Sequence, residues 1–476
     1  MLIKRVTGLL ILMILLLNSV FCTKVKDEKP NILIILADDQ RFDTINALDS
    51  KVNVTPNIDK IVNDGVSFSN AHIMGSMNAA VCMPSRAMLA SGKNLFSLQN
   101  SGRQIPADHI LLGEYLRQNG YYTFGTGKWH NGPDAFNRAF CDGDAIFFGG
   151  MEDHWNVPLF HYDLTGDYKS TLPIIDNPWF SNKVRERKGE YVNSGVHSTD
   201  IFSDALENFL NHYNEKKPFF AYLAYTAPHD PRSMPHEYDL HADIPVAKNF
   251  LPQHPFDNGE LKIRDEQLAG FPRQKEEIKR HLNDYYSMIA HIDDRIGKII
   301  TIMQERGFWD NSIVIFSSDN GLALGSHGLM GKQNLYEHSL RIPLIISGPG
   351  IEKNVISKEL CYLYDLFPTL CELIDLPIPS GLQGKSLRAA VIGEEYKSRD
   401  ELVFAYKNLQ RAILTADGWK YIEYHVKGRK TIQLFDLNKD PLEMNNIAEK
   451  NKVKVQQLQK RMDEILVEAG DSEWFE

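Results

Sequence analysis

The chain has 476 residues, of which 43% are hydrophobic and 24% charged, the composition of an ordinary globular protein. This composition excludes a wholly disordered, collagen-like or coiled-coil protein. The formal net charge is −10, and no clustered basic run indicates a nucleic-acid surface, so we expect no nucleic-acid partner.

The first 22 residues have the layout of a signal peptide. Lys4 and Arg5 precede an uncharged, Leu- and Ile-rich run over Gly8–Leu17 that is too short to span a bilayer. We therefore expect export to the periplasm or secretion, with no transmembrane span in the mature chain. Ser19–Cys22 resembles a bacterial lipoprotein box, so a lipid anchor on Cys22 is the alternative to soluble export.

Short, continuous, β-branched runs alternate with amphipathic helical patterns after the leader. This alternation predicts an α/β fold with a large, doubly wound, mixed or mostly parallel sheet flanked by helices. The runs that predict buried parallel strands are Asn31–Leu36, Tyr122–Phe124, Phe219–Ala224, Ile313–Phe316 and Pro343–Ile346. The helical patterns are Ile110–Asn119, Thr199–Asn214 and Asn283–Arg306.

The pattern changes near Arg399, where short strand-like runs are followed by helical spacing over Asn451–Ala469. We predict a catalytic α/β domain over 23–398 and a smaller C-terminal α+β subdomain over 399–476, with a short antiparallel sheet and a terminal helix. Within the larger domain, Met151–Gln274 contains irregular stretches rich in Pro, His, Asp and aromatic residues. Such an insertion is typical of a segment that shapes the mouth of a site.

Polar side chains follow four of the predicted strands at their carboxyl ends. Ligands of open α/β sheets bind at this edge, so clusters from distant parts of the chain indicate one converging site. The residues concerned are Asp38, Asp39, Lys128, His130, His229, Asp319 and Asn320.

Asp38, Asp39, Asp319 and Asn320 offer only oxygen ligands, which favours Ca²⁺ or Mg²⁺ over zinc. Taken alone, each pair is better explained as capping or turn chemistry after a strand, and it is the combination with Cys82 that favours a metal. The three other strand-end residues differ in chemistry: lysine suits an anion, and histidine titrates near neutral pH and suits acid/base work.

The segment Cys82–Arg86 stands at the start of a helical run that continues to Gly92. A helix N-terminus offers unpaired N–H groups to an anion, and Arg86 adds a fixed cation. A lone Cys-x-Pro would instead be read as a buried cysteine beside a loop proline. Cys361 and Cys371 could form a disulfide or remain buried thiols.

Several motifs in order resemble the type I, formylglycine-dependent sulfatases of the alkaline phosphatase superfamily, and most of all bacterial exported polysaccharide sulfatases. Cys82–Gly92 is similar to the family's modification signature, with Ser91 in place of the usual threonine. Gly127–Gly132 resembles its Gly-Lys-Trp-His-Leu-Gly motif, with Asn131 as a departure. The resemblance runs from about Pro30 to Asn446 and includes further matches at Ser318–Gly321, Gly331–Lys332 and Arg341–Pro343.

The resemblance implies that Cys82 is oxidised to formylglycine (3-oxoalanine) by a formylglycine-generating enzyme or an anaerobic sulfatase-maturating enzyme. It implies one Ca²⁺ per chain, with Mg²⁺ as the alternative, held by the four oxygen ligands above and by modified Cys82. Arg86, Lys128 and Lys332 would neutralise the sulfate oxygens. His130 and His229 would carry protons.

We therefore expect a sulfuric ester hydrolase that desulfates a sulfated polysaccharide or its oligosaccharides, for example ulvan, fucoidan, carrageenan or a glycosaminoglycan. A choline sulfatase and a phosphomonoester or phosphonate-ester hydrolase on the same scaffold are the enzymatic alternatives. An inactive sulfated-glycan-binding protein is the alternative of another class. The loop residues that we expect to contact the sugar are Trp155, His161, Arg232 and His327.

Overall fold

A computed structural model describes residues 29–175, 183–396 and 399–475. The predicted leader and Cys22 lie outside these residues. The strands are β1 Asn31–Ala37, β2 Gly65–His72, β3 Gly75–Ser76, β4 Tyr122–Lys128, β5 Asp142–Phe147, β6 Pro158–Leu159, β7 Thr171–Ile175, β8 Val184–Lys188, β9 Tyr191–Val192, β10 Phe219–Ala224, β11 Ser312–Ser318, β12 Leu344–Ser347, β13 Val355–Tyr362, β14 Glu401–Tyr406, β15 Gln410–Thr415, β16 Trp419–Val426 and β17 Arg429–Asp436.

The helices cover both faces of the main sheet and close the C-terminal part. They are α1 Ile58–Asn63, α2 Cys82–Ser91, α3 Leu112–Gln118, α4 Pro133–Ala139, α5 Ser198–His212, α6 Lys275–Glu305, α7 Glu337–Leu340, α8 Leu366–Leu373, α9 Arg388–Val391 and α10 Lys452–Ala469. In the described part of the chain, none of them combines the length and apolar composition needed to cross a bilayer.

The main sheet has eight strands in the order β13-β2-β12-β11-β1-β10-β4-β5. Strand β1 lies at its centre and pairs in parallel with β10 and β11. Every residue of β1 is buried, since helices cover both faces of a parallel sheet. Leu33 and Ile35 pack towards α5 and α6, whereas Ile32, Ile34 and Leu36 pack towards α2 and α8. The predicted doubly wound, mostly parallel α/β class is confirmed.

The run Pro343–Ile346 forms a strand, but our prediction that this strand is parallel is wrong. Strand β12 pairs antiparallel with both β11 and β2. The connection from β11 contains only the four-residue helix α7, so no long crossover helix returns the chain to the starting edge of the sheet. The other four predicted strands are parallel members of the sheet.

Three strands of the main sheet, β2, β5 and β13, gave no sequence signal. Strand β13 lies at one edge and is exposed over Val355–Ile356, and β5 forms the other edge with two polar aspartates. Edge strands are half-solvated, so they lack the continuous apolar run that marks a central strand. Helix α6 begins at Lys275, earlier than predicted, because its first turns expose Lys and Glu and bury only Ile278 and Leu282.

The C-terminal strands β14–β17 form an antiparallel meander, and β3 pairs in parallel with β14 as a fifth strand. Since β3 comes from the segment just before Cys82, the C-terminal sheet is built partly from the larger unit. The four described cysteines, Cys82, Cys141, Cys361 and Cys371, are free thiols. The Cys361–Cys371 disulfide that the sequence left open is therefore not formed.

A buried ion pair ties the end of α10 to the C-terminal sheet. The Arg411 guanidinium donates from Nε and Nη2 to the two carboxylate oxygens of Asp471, and the Nη2 to Oδ1 distance is 3.1 Å. Both side chains are shut off from solvent. Removing one partner of such a pair leaves an uncompensated buried charge.

Asp471→Asn should therefore lower the free energy of unfolding by about 3–5 kcal/mol, measured by urea denaturation. The matched control is Glu449→Gln, because Glu449 lies in an exposed pair with Lys452 at 3.9 Å. This control should change stability by less than about 0.5 kcal/mol. Equal effects of the two substitutions would contradict the assignment.

Candidate active site

The carboxyl ends of β1, β11 and β4 bring the polar clusters together at one edge of the main sheet. Asp38 and Asp39 follow β1, Asp319 and Asn320 follow β11, and Lys128 is the last residue of β4. All five side chains are buried. Their proximity arises because parallel strands that share register end at the same edge.

The carboxylates are held in place by backbone and amide hydrogen bonds. The Asp39 N–H donates to Asp319 Oδ1 at 3.2 Å, and Asn320 Nδ2 donates to Asp39 Oδ1 at 2.6 Å. Asp39 has a φ of 68°, a left-handed conformation that aspartate tolerates better than most residues. The Tyr285 hydroxyl of α6 also donates to the Asp39 carbonyl at 2.7 Å. Sequence reasoning missed Tyr285, because a tyrosine at helical spacing is indistinguishable from a core residue.

Cys82 is the first residue of α2, so the helix N-terminus places its side chain in the cluster. Its Sγ atom lies 3.5 Å from Lys128 Nζ and 3.5 Å from His130 Nδ1. Burial raises the pKa of the Cys82 thiol above its ordinary value, although Lys128 opposes the shift. A buried thiol with a raised pKa is a poor thiolate nucleophile.

Three buried cations surround Cys82. Arg86 lies one turn further along α2 and therefore on the same helix face. Its Nε donates to Asp319 Oδ2 at 2.8 Å, and its Nη1 donates to the Lys128 carbonyl at 2.6 Å. The Lys128 ammonium donates to Asp38 and the Lys332 ammonium to Asp39. Each cation is therefore fixed by a carboxylate of the cluster.

The cluster has an unequal distribution of charge among its acids. Burial, followed by the charge of Asp38, raises the pKa of Asp319 to about 7. Burial also acts to raise the pKa of Asp38, but Lys128, His229 and Arg86 together lower it below the ordinary value. The neighbouring acids thus oppose one another's ionisation, and an additional positive charge would stabilise them together.

The donor set fits a hard divalent cation. Asp38 Oδ1 and Asn320 Oδ1 are buried and have no hydrogen-bond partner among the described residues. One ligand atom from each of Asp38, Cys82 and Asp319 lies within 4.8 Å of the others. Carboxylate and amide oxygens are the ligands that Ca²⁺ and Mg²⁺ prefer, and these two are free to bind an ion.

Two histidines border the cluster. His229 Nδ1 donates to the Asp230 carbonyl at 2.7 Å, and its Nε2 lies 3.8 Å from Asp39 Oδ2. Burial and Lys332 hold the pKa of His229 well below its ordinary value, and burial and Lys128 do the same for His130. His154, a further loop residue, donates from Nε2 to the His229 carbonyl at 3.0 Å and so positions that backbone.

The four residues predicted to contact the sugar lie in different surroundings. Trp155 Nε1 donates to Ser233 Oγ at 3.2 Å. The His161 side chain is 65% exposed and pairs with Asp144. His327 is buried, where its Nε2 donates to the Leu442 carbonyl at 3.0 Å. Arg232 lies beside His281 of α6. Substrate contact by each of them stays a prediction.

Comparison with known proteins gives one consistent family. The family model "Sulfatase" matches residues 30–376, and the model "N-sulphoglucosamine sulphohydrolase, C-terminal" matches residues 325–471. An N-acetylglucosamine-6-O-sulfatase of Bacteroides thetaiotaomicron is 24% identical, over 94% of this chain and 87% of the relative.

Two solved structures show the same fold. One is a protein in complex with its substrate D-glucosamine-2-N,6-O-disulfate, with a TM-score of 0.74, 22% identity and coverage of 94% of this chain and 99% of the other. The second is the phosphonate monoester hydrolase of Agrobacterium radiobacter, with a TM-score of 0.73, 20% identity and coverage of 92% and 96%. With the sulfatase model matching most of its length, the chain belongs to the sulfatase family of sulfuric ester hydrolases.

Proposed function

We propose that this sulfatase removes sulfate groups from a sulfated polysaccharide or its oligosaccharides, and that it uses formylglycine made from Cys82 together with Ca²⁺. The observation that carries the proposal is the position of Cys82. Its thiol is buried beside Lys128 and next to a cluster of acids whose oxygens include two without hydrogen-bond partners among the described residues, and burial there disfavours a thiolate. That setting suits a cysteine that serves as the precursor of an oxygen nucleophile.

Formylglycine would supply a hydrated aldehyde as the nucleophile, and the cation would lower the pKa of the nucleophilic oxygen. Asp38, Asp39, Asp319 and Asn320 are the residues that would hold the cation. Because these four side chains come from two neighbouring strands at the sheet centre, their positions are set by the core rather than by mobile loops.

Arg86, Lys128 and Lys332 neutralise negative charge on the sulfate oxygens. They are buried, so their charges are weakly screened and act strongly on a bound anion. They also cost no reorganisation during the reaction, since carboxylates already hold them in place.

The two histidines would move protons at different atoms of the site. His229 uses Nδ1 for the Asp230 carbonyl, so Nε2 is the atom that exchanges a proton with the departing sugar oxygen. His130 presents Nδ1 to the Cys82 side chain and would accept a proton there. The lowered pKa of His130 favours its neutral form, which accepts a proton. His229 would deliver a proton from Nε2 to the departing oxygen, so it would act in its protonated form, beside the Asp39 carboxylate.

Two observations support a sulfated glycan as the substrate. The leader predicts export, which gives the enzyme access to extracellular glycans, and the named relatives act on or bind sulfated sugars. We further propose maturation by a formylglycine-generating or anaerobic maturating enzyme. The test is sulfate release from a panel of sulfated oligosaccharides, followed by ion chromatography. Absence of release across the panel, by protein with confirmed formylglycine, would contradict the proposal.

A phosphonate- or phosphate-ester hydrolase is the second candidate, because a phosphonate monoester hydrolase shares the fold. Three cations and a divalent metal would also bind a phosphate group, which is tetrahedral like sulfate. Sulfate and phosphate esters of one aryl alcohol separate the two functions. We expect a higher kcat/KM for the sulfate ester, and the reverse order would favour the second candidate.

Lys332→Ala should lower kcat/KM for a sulfated sugar by about 10²–10³-fold, the usual effect of removing one fixed charge from developing negative charge. The control is Lys353→Ala, since Lys353 is 70% exposed in a surface pair with Asp64. The control should keep the parent kcat/KM. A loss of less than twofold in the Lys332 variant would remove this residue from the mechanism.

A further inference from the structure

We propose that Arg232 binds a second anionic group of the substrate, next to the sulfate ester that is removed. This inference rests on the proposed function and refines its substrate class. The group that it calls for is a carboxylate or a second sulfate on the same sugar or on a neighbouring one.

One side of the Arg232 guanidinium is anchored by the protein. Nη1 lies 3.3 Å from His281 Nδ1, and His281 Nε2 lies 3.1 Å from the Leu268 carbonyl. The carbonyl can only accept, so His281 carries its proton on Nε2 and Nδ1 accepts from Arg232. This chain of two hydrogen bonds orients the guanidinium.

The remaining donors of Arg232 are unused. Nε and Nη2 are buried and have no hydrogen-bond partner among the described residues, and no described carboxylate lies within ion-pair distance of them. The buried arginines Arg86, Arg273 and Arg411 differ, because each of them holds a carboxylate. Buried charges are normally paired, so the unpaired guanidinium of Arg232 indicates a binding site for an anion from outside the protein.

The unused atoms define the ligand chemistry. Nε and Nη2 lie on one edge of the planar guanidinium, and their two N–H groups match two oxygens of a carboxylate or a sulfate. A neutral hydroxyl would satisfy only one of them and would leave the charge uncompensated. The site therefore favours an oxyanion over an uncharged sugar group.

Arg232 also lies near the catalytic cluster. It follows His229 by three residues in the loop after β10. Burial lowers the pKa of Arg232, and Asp39 is the strongest charge that opposes this shift. Asp39 itself lies 3.8 Å from His229. The second anion would thus bind on the His229 side of the cluster, where the sugar oxygen departs.

The test compares three sugars: one with a single sulfate ester, the same sugar with a second sulfate, and the same sulfated sugar linked to a uronic acid. We expect the matured enzyme to prefer at least one of the doubly anionic sugars. Arg232→Gln should reduce that preference, measured as a ratio of kcat/KM values, by about 10- to 100-fold, the effect of losing charge-assisted hydrogen bonds. Arg232→Lys should lose most of it too, because lysine lacks the fork of donors.

Arg280→Gln is the matched control, since Arg280 is an exposed arginine adjacent to His281 on α6, and it should keep the parent ratio. Arg232→Gln should lose more preference for one of the two doubly anionic sugars than for the other. The anion of that sugar, a second sulfate or a uronic acid carboxylate, is the one that Arg232 binds. An unchanged ratio in Arg232→Gln, or a loss shared equally by all three sugars, would overturn the inference. Calorimetric binding of the same sugars to Cys82→Ala measures the ratio without turnover, so it still tests Arg232 if the parent enzyme releases no sulfate. Circular dichroism checks that each variant folds.

Discussion

Replacing Cys82 by alanine should abolish sulfate release, with a loss of at least about 10⁴-fold, as expected when a covalent nucleophile is removed. The reason is that the Cys82 side chain lies 3.5 Å from both Lys128 Nζ and His130 Nδ1, at the position where the proposed nucleophile forms. Cys82→Ser should be inactive as well. The family signature implies that the aldehyde is made from a cysteine, so the serine would stay an unmodified hydroxyl. The measurement is sulfate release with a sulfated oligosaccharide that the parent enzyme cleaves.

The matched control is Cys141→Ser, since Cys141 is a free cysteine between α4 and β5, outside the cluster. It should keep the parent turnover. Mass spectrometry of the peptide that contains Cys82 provides an independent readout, and active protein should carry an aldehyde there. Full turnover by Cys82→Ala, or by protein with only unmodified cysteine, would refute the role of Cys82.

Removing the divalent cation should produce the second large effect, on both activity and stability. A chelator should reduce sulfate release by about 10²-fold or more, and added Ca²⁺ should restore it. The apo protein should also melt several degrees lower, because a ligand at 1,000 times its Kd stabilises the folded state by about 4 kcal/mol. The physical cause is the burial of neighbouring acids: burial, followed by the charge of Asp38, raises the pKa of Asp319 to about 7, and a bound cation would offset the repulsion.

Asp38→Asn should reduce the Ca²⁺-dependent rise in melting temperature, since Asp38 Oδ1 is an orphaned buried oxygen aimed at no protein donor. Asp64→Asn removes a partly exposed carboxylate that pairs with Lys353 and should leave the rise intact. Titration with Mg²⁺ in parallel distinguishes the two ions, and we expect the larger rise with Ca²⁺. A chelated protein with unchanged activity and melting temperature would exclude a functional metal.

Much of the fold could be predicted, because its central strands contain short continuous apolar runs. Strand β1 is buried on both faces and pairs along both edges, so its residues 32–37 are all apolar. The edge strands β5 and β13 escaped prediction, since half-solvated strands tolerate polar residues. Strand β2 lies inside the sheet, but its serines, asparagine and histidine interrupt the apolar run that marks a buried strand. The antiparallel direction of β12 also could not be predicted, because strand direction depends on the path of the connection and not on the residues of the strand.

The sequence by itself determined which residue types are available for the chemistry: a cysteine at a helix start, oxygen ligands after two strands, and lysine and histidines after two others. Local order sufficed for this, because strand ends and helix starts are short-range features. Only the tertiary structure decided which groups meet, such as Arg86 with Asp319. It also decided that Arg232 Nε and Nη2 meet no hydrogen-bond partner among the described residues. Those pairings join residues that are hundreds of positions apart, and burial at their meeting point sets their pKa values, which no local pattern contains.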